Sequence, residues 1–210
     1  MIRRELARKK PKSATGLDGV SLADLKAMPD SVIDAHCDIF RVAEGSGVWP
    51  RQSTVGKVAA LAKTESPTDV SSYRPTTVLP HCYRLWSGVR SKALLSTIGE
   101  RSPTFLFGNK PHCQASMIWT HLAWLVEDAY VGEGAVAGIV ADIEKAFNHL
   151  PREVVFQTAV IFGIPFTTLQ AWASAMGSLE RRFQIRDHLG PPVHSCTGFP
   201  EGELLGDASD

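Results

Sequence analysis

The sequence predicts a mixed α+β fold, and three observations support that expectation. Apolar residues make up 44% of the 210 residues, which is enough to build a hydrophobic core. Segments with apolar residues at helical spacing stand beside short strand-like runs bounded by Gly and Pro. No apolar run approaches the roughly 20 residues that span a bilayer, and no signal-peptide layout begins the chain, so we expect an intracellular protein without membrane contact, whether nuclear or cytoplasmic.

The first third of the chain predicts a turn, two helices and a strand. Asp18 can act as a capping residue in a turn that precedes a short helix. The next segment places Ile33, Cys37 and Phe40 on one helical face, and Gly45 is expected to end that helix. A strand then follows over residues 54–63, before a loop over 65–80.

The remaining elements follow from the same patterns. Apolar residues recur at three and four positions in the longer segments, and a small, apolar run leads directly into Asp142. We therefore predict long helices in 81–99 and 114–130, a strand in 134–142, helices in 152–164 and 166–179, and a strand pair in 181–187 and 191–196.

Charge and cysteine usage narrow the function classes. Residues 1–12 hold six basic residues and one acid, a basic arm that would attract polyanions, although such runs also serve as solvated tails or targeting signals. The four cysteines are far apart, which is typical of reduced thiols. Three of them directly follow a histidine, but adjacent side chains point in different directions, so adjacency does not itself create a zinc site.

Asp142 is the first candidate for a functional residue. An acid that ends a buried strand at a chain reversal can hold a cation together with backbone carbonyls, and it can equally serve as an ordinary helix cap. The surrounding pattern is Asp-Ile-Glu-Lys-Ala-Phe-Asn, residues 142–148, and further blocks lie on either side of it.

Four blocks in order resemble those of a reverse transcriptase of the non-LTR retrotransposon and group II intron type. They are TGLDGVSLADLKAMP, LAKTESPTDVSSYRPTTVLPHCYRLWSGV, VAGIVADIEKAFNHLPREVV and VHSCTGFPEGE. The resemblance implies a right-hand polymerase fold that is incomplete at the C-terminus. Fingers are expected at about 13–99 and 151–196, with a partial palm at about 100–150 and 197–210, after the arm at 1–12.

The resemblance also implies a chemistry and a site. RNA-templated DNA synthesis joins a primer hydroxyl to a deoxynucleoside triphosphate with two divalent ions, Mg²⁺ or alternatively Mn²⁺. Asp142 would be the catalytic carboxylate and metal ligand, and the backbone carbonyl of Ile143 a second ligand. Phe147 would lie under the sugar and exclude a 2′-hydroxyl; its alternative is an ordinary core residue.

The other implied site residues are mostly cationic or belong to a loop. Lys63 and Arg74 would grip the triphosphate, because phosphate accepts both a point charge and a bidentate guanidinium; otherwise they are solvated surface charges. The nucleotide-binding loop is implied to contain Pro200, Glu201 and Gly202, with Glu201 standing where the family commonly has glutamine. Template phosphates could be contacted by Arg181 and Arg182, for which a surface role is the alternative.

A second departure from the family concerns the remaining carboxylates. The family's aromatic-x-Asp-Asp motif does not occur in the chain, and Asp207 and Asp210 are poor substitutes. We therefore expect a reverse-transcriptase-like chain that is inactive alone. The synthesis that the resemblance implies would use a primed RNA or DNA template and would depend on a downstream polymerase segment or partner chain. The alternatives are a non-catalytic remnant or nucleic-acid-binding module, and a globular protein without a nucleic-acid role.

Overall fold

The structure is a computed structural model that describes residues 2–8, 14–66, 68–108 and 112–201. Over these residues it is a mixed α and β fold with a small sheet, as the sequence predicts. The helices are α1 Ile2–Arg8, α2 Leu22–Ala27, α3 Asp30–Ser46, α4 His81–Arg101, α5 Ala115–Val131, α6 Ala146–His149, α7 Arg152–Ile161 and α8 Phe166–Gly177. The strands are β1 Val55–Ala62, β2 Tyr73–Val78, β3 Glu180–Ile185 and β4 His188–Val193.

The sheet has the strand order β2-β1-β3-β4. β1 runs antiparallel to β2 and parallel to β3, while β3 and β4 form an antiparallel hairpin. One face of β1 carries the buried Gly56 and Val58, and the opposite face carries the half-buried Lys57 and Ala59. The sheet therefore has an inner face toward the core and an outer face. Each cationic side chain of the sheet projects from one of these two faces.

Aromatic side chains hold the helical layer together. Trp49, Tyr83 and Trp86 form a mutual ring cluster with centroids 5.2–5.6 Å apart. The indole N–H of Trp49 donates to the carbonyl of Ala171 at 2.8 Å, which ties the segment after α3 to α8. A buried tryptophan with a satisfied N–H adds apolar area without an unpaired polar group.

Local signals account for most helix boundaries. Ser21 and Asp24 form a capping box at the start of α2. Four other helices, α3, α4, α7 and α8, begin directly after a proline, whose fixed φ suits a helix entry. The predicted end of α3 at Gly45 is wrong: the helix continues to Ser46, and Gly47 caps it at φ 72°. Glycine tolerates this left-handed conformation, so the second glycine and not the first ends the helix.

Two predictions about strands are wrong: one predicted loop contains a strand, and one predicted strand is not formed. The predicted loop 65–80 contains β2, and Pro75 is accommodated there because β2 lies at the edge of the sheet, where a missing N–H removes no ladder bond. The predicted strand 134–142 is not formed, and Ile139 is 95% exposed. In the described residues no strand runs beside this segment, so its backbone gains no ladder hydrogen bonds and its apolar side chains no cover.

The basic arm is partly structured. Over residues 2–8 it is a helix, α1, that buries Ile2 and Leu6. Arg3 donates to the carboxylate of Asp30 at 2.7 Å and to the carbonyl of Met28 at 2.6 Å. This part of the arm is therefore a packed helix and not a solvated tail, while residues 9–12 lie outside the described residues.

Candidate functional site

Lys63 and Arg74 lie where the β1–β2 hairpin reverses. Arg74 pairs with Leu61 across the hairpin, and the Lys63 N–H continues the pairing by donating to the Ser72 carbonyl at 2.9 Å. The Lys63 ammonium donates to the carbonyl of Ser71 at 2.9 Å, and both cationic side chains are exposed. The structure thus brings these two predicted residues to the same end of the hairpin.

An acidic turn shapes this reversal. One carboxylate oxygen of Asp69 accepts hydrogen bonds from the Ser71 hydroxyl, the Ser71 N–H and the Ser72 N–H at 2.6–3.1 Å. These hydrogen bonds favour the ionised form and hold the pKa of Asp69 below its ordinary value of 3.8. Asp69 therefore organises the chain reversal that carries Lys63.

The two predicted template arginines point to opposite faces of the sheet. Arg182 is in register with Lys57 on the outer face, and its guanidinium lies 3.7 Å from the Glu180 carboxylate. Arg181 is in register with the buried Gly56, so its side chain projects from the inner face of the sheet. The pair therefore cannot line one phosphate path together, and Arg182 already has a partly balanced charge.

The glycine-containing loop packs directly on α6. The Gly198 N–H donates to the Leu150 carbonyl at 3.1 Å, and the Phe199 N–H donates to the Phe147 carbonyl at 2.7 Å. Gly198 has φ 71°, and a Cβ there would stand 2.5 Å from the carbonyl oxygen of Asn148. A glycine is required for this close approach of two backbones.

Glu201 links the loop to both neighbours. Its carboxylate accepts a hydrogen bond from the Asn148 side-chain amide at 3.0 Å, and its carbonyl accepts one from the Thr77 N–H at 2.8 Å. Pro200, next to it, is fully buried. The loop therefore joins α6 to the outer edge of β2, the strand that carries Arg74; the predicted Gly202 lies outside the described residues.

Phe147 is not a core residue, because 52% of it is exposed beside the loop. Its carbonyl is used by Phe199, so the backbone is held while the ring stays accessible. The ordinary-core alternative is therefore wrong for this phenylalanine. An accessible ring at a fixed backbone position is free to contact another molecule.

Asp142 and Ile143 stand apart from the elements described so far. Both are exposed in the irregular segment before α6, with Ile143 73% exposed. The N-cap of α6 is Lys145, at φ 49°, so the helix-cap alternative for Asp142 is wrong. Within the described part of the chain, no three His, Cys, Asp or Glu side chains gather in a way that could hold a metal ion. The described residues therefore do not by themselves assemble a three-ligand metal site around Asp142.

Two residues that sequence reasoning did not single out hold the site together. Arg152 donates from Nε to the Gly198 carbonyl and from Nη1 to the Met176 carbonyl, both at 2.7 Å. Asn148 supplies the amide that binds Glu201. Both residues lie close to Phe147 in the sequence, and that proximity is the signal that could have singled them out. Their hydrogen-bond partners, however, lie 24–53 positions away along the chain.

Among the described residues, no helix combines the length and the apolarity that a membrane crossing requires. No protein-family model matches the chain. Two curated proteins are similar to it, both described as RNA-directed DNA polymerase from mobile element jockey. The one from Drosophila melanogaster is 26% identical over 93% of this chain, and the one from Drosophila funebris is 26% identical over 97%.

The chain spans about a quarter of the length of these curated relatives, 22% of one and 25% of the other. Because the two matches cover 93% and 97% of the chain, they include most of the residues of the four blocks. The predicted resemblance to the reverse transcriptases of non-LTR retrotransposons is thus confirmed: along almost its whole length, this chain is similar to the RNA-directed DNA polymerases of a mobile element.

Proposed function

We propose that this chain is a reverse-transcriptase-like module that binds a primed template and a deoxynucleoside triphosphate, and that synthesises no DNA by itself. RNA-templated DNA synthesis would require polypeptide that the described residues do not supply. In polymerase terms, the β1–β2 hairpin belongs to the fingers, and α6 with the Gly198–Glu201 loop belongs to the palm.

One observation supports this proposal most strongly. Three of the four blocks that carry the resemblance meet at one place: β2 from the second block, α6 from the third and the loop from the fourth. Backbone hydrogen bonds from Thr77 to Glu201 and from Phe199 to Phe147 join them. These residues are separated by up to 124 positions, so their meeting reflects the tertiary fold and not sequence proximity.

The exposed cations fit the phosphate part of such a ligand. Lys63 offers a compact ammonium and Arg74 a planar guanidinium near the same hairpin end, and neither forms a side-chain ion pair with another residue that the structure describes. Phosphate oxygens would accept hydrogen bonds from both. Phe147, whose ring is accessible beside the loop, would then contact the sugar.

Primer extension tests the catalytic half of the proposal. The full chain is incubated with a primed RNA template, deoxynucleoside triphosphates and Mg²⁺, with Asp142→Asn as a matched variant. We expect no extended primer from either protein, because among the described residues Asp142 belongs to no group of three side chains that could hold a metal ion. Extension by the wild type that disappears in Asp142→Asn would contradict the proposal.

The absence of an Asp-Asp pair from the sequence also favours a second candidate, a non-catalytic nucleic-acid-binding module. Binding of a labelled primer–template at increasing salt tests the binding that both candidates require, because affinity from phosphate contacts falls steeply with ionic strength. Arg74→Gln should weaken binding several-fold and reduce the salt slope by about one. Arg41→Gln, which removes an equal charge from an exposed position of α3, is the matched control. Absence of binding at low salt would exclude both candidates.

A further inference from the structure

A chain of two histidines and one aspartate joins three separate parts of the fold. His81 is the first residue of α4, His36 lies in the middle of α3, and Asp18 belongs to the turn before α2. The Nε2 atoms of the two histidines are 3.2 Å apart. His81 Nδ1 lies 2.5 Å from a carboxylate oxygen of Asp18, and His36 Nδ1 lies 2.8 Å from the carbonyl of Val32.

The donors and acceptors in this chain can be counted. The Val32 carbonyl can only accept, so His36 Nδ1 must carry a proton; an ionised Asp18 can only accept, so His81 Nδ1 must carry one too. The contact between the two Nε2 atoms requires a third proton, since two lone pairs at 3.2 Å would repel. Two neutral imidazoles supply only two N–H groups. The complete set of hydrogen bonds therefore needs one additional proton.

The surroundings supply a counter-charge for that proton. The Asp18 carboxylate also accepts from the His81 backbone N–H at 2.7 Å. Burial alone would raise the pKa of Asp18, but the hydrogen bonds from His81 and the backbone hold it below 3.8, so the group is an anion near neutral pH. The Asp18 and His81 side chains are 14% and 15% exposed, respectively.

The other polar groups around His36 and His81 are neutral or have partners of their own, so they do not replace Asp18 as the counter-charge. Burial raises the pKa of the neighbouring Cys82, whose thiol stays neutral. Arg84, one turn along α4, donates to the Ala14 carbonyl at 2.7 Å. The next acid between α3 and α4 is Glu44, which accepts from both Trp86 and Arg90. From α2, the small cavity beside His81 receives the apolar side chains of Leu22 and Leu25.

We propose that His36 and His81 together hold one proton more than two neutral imidazoles, and that this shared proton makes the contact between α3, α4 and the Asp18 turn a pH-sensitive clamp. The unfolded chain releases this proton above about pH 6.5, the ordinary range for histidine. The folded protein then binds more protons than the unfolded one, so its stability falls as the pH rises from there, until the folded pair releases its proton as well. The clamp lies directly beside β2, since α4 begins three positions after that strand ends.

Thermal unfolding of the full chain between about pH 6 and pH 8.5 tests the clamp, with His36→Gln as the informative variant. The glutamine amide can donate to His81 Nε2 without titrating. We expect the wild-type Tm to fall by about 3 °C over this range and the His36→Gln profile to stay nearly flat. His188→Gln, at an exposed position of β4, should keep the wild-type slope. Parallel profiles for wild type and His36→Gln would overturn the proposal.

A second measurement on the wild type keeps the test decisive if His36→Gln does not fold. Nitrogen-15 NMR of the histidine side chains counts protonated ring nitrogens directly. At about pH 7.5, where two ordinary imidazoles would both be almost entirely neutral, we expect three protonated nitrogens shared by His36 and His81. Finding only two in the folded protein at that pH would overturn the proposal, whatever the thermal profiles show.

Discussion

Single residues bring the candidate site together through close backbone contacts. Gly198 is the sharpest case, because its positive φ and its approach to the α6 carbonyls both exclude a side chain. Glu201 shows how an acidic residue is accommodated in the loop. Its carboxylate accepts the Asn148 amide, so its acceptor-only chemistry is satisfied within the chain.

Replacing Gly198 with alanine should lower the free energy of unfolding by about 2 kcal/mol or more, from backbone strain and overlap with the Asn148 carbonyl. Urea unfolding of the two proteins measures the difference. Gly45→Ala is the matched control, because that glycine lies inside α3 with open space around it; there the change should stabilise by up to about 1 kcal/mol. Equal stabilities for Gly198→Ala and wild type would show that the loop does not pack as described.

Asp18 gives a pH dependence whose sign follows from its lowered pKa. An acid that is more easily ionised in the folded chain stabilises it above the ordinary pKa of 3.8, and that contribution is lost as the pH falls through the folded value. Asp18→Asn should therefore cost about 1–3 kcal/mol at pH 6, from weakened hydrogen bonds to His81.

The same variant should approach the wild type in stability below about pH 3.8, because the protonated aspartate and asparagine are then both neutral. Chemical unfolding at both pH values provides the comparison. Asp24→Asn is a suitable control, since Asp24 also has a lowered pKa but acts only within the local capping box of α2. A difference between Asp18→Asn and wild type that is unchanged in acid would contradict the assignment.

Among the elements, α5 differs from every helix of the core. It has no buried residue, and its large apolar side chains face solvent, including Trp119 at 71% and Trp124 at 65% exposure. Helices that are apolar around their circumference normally lie inside a larger structure. An uncovered apolar helix of this kind offers a surface on which additional polypeptide could pack, as the proposed function requires.

Self-association should follow from the exposed surface of α5 when the chain is alone, because contiguous exposed apolar area favours aggregation. Replacing Trp119 and Trp124 with serine should lower the concentration-dependent light scattering several-fold. Val70→Ser, at an exposed position outside α5, should leave the scattering unchanged. Scattering by the double variant equal to that of the wild type would mean that self-association occurs through a surface other than α5.

The whole molecule divides into a packed part and an exposed part. Helices α1, α2, α3, α4, α7 and α8 share one buried cluster with Leu79 and Leu179, which flank strands of the sheet, whereas residues 115–145 contribute no buried side chain to it. Asp142 belongs to the exposed part and Glu201 to the border of the packed part. The candidate catalytic acid and the candidate nucleotide loop therefore differ in how firmly the fold holds them.

Hydrogen exchange should reveal this division. Amides of residues 134–143 lack regular secondary structure, and those of α5 lack tertiary cover, so both should exchange faster than the amides of α4 and β1. Mass spectrometry of peptides from the full chain measures these rates. Protection over residues 134–143 equal to that of β1 would mean that the predicted strand forms after all.

The sequence by itself determined the α+β class, most helices, β1 and the β3–β4 pair, since these depend on apolar spacing, prolines and glycines within a few residues. It also determined the resemblance that the two relatives confirm. Tertiary structure alone decided that Asp18 accepts the N–H of His81, the first residue of α4, and does not cap α2, that Pro75 lies in an edge strand, and that residues 134–142 form no strand. Each of those outcomes depends on a partner far away in the chain, and local patterns carry no information about which distant backbone or side chain will meet them.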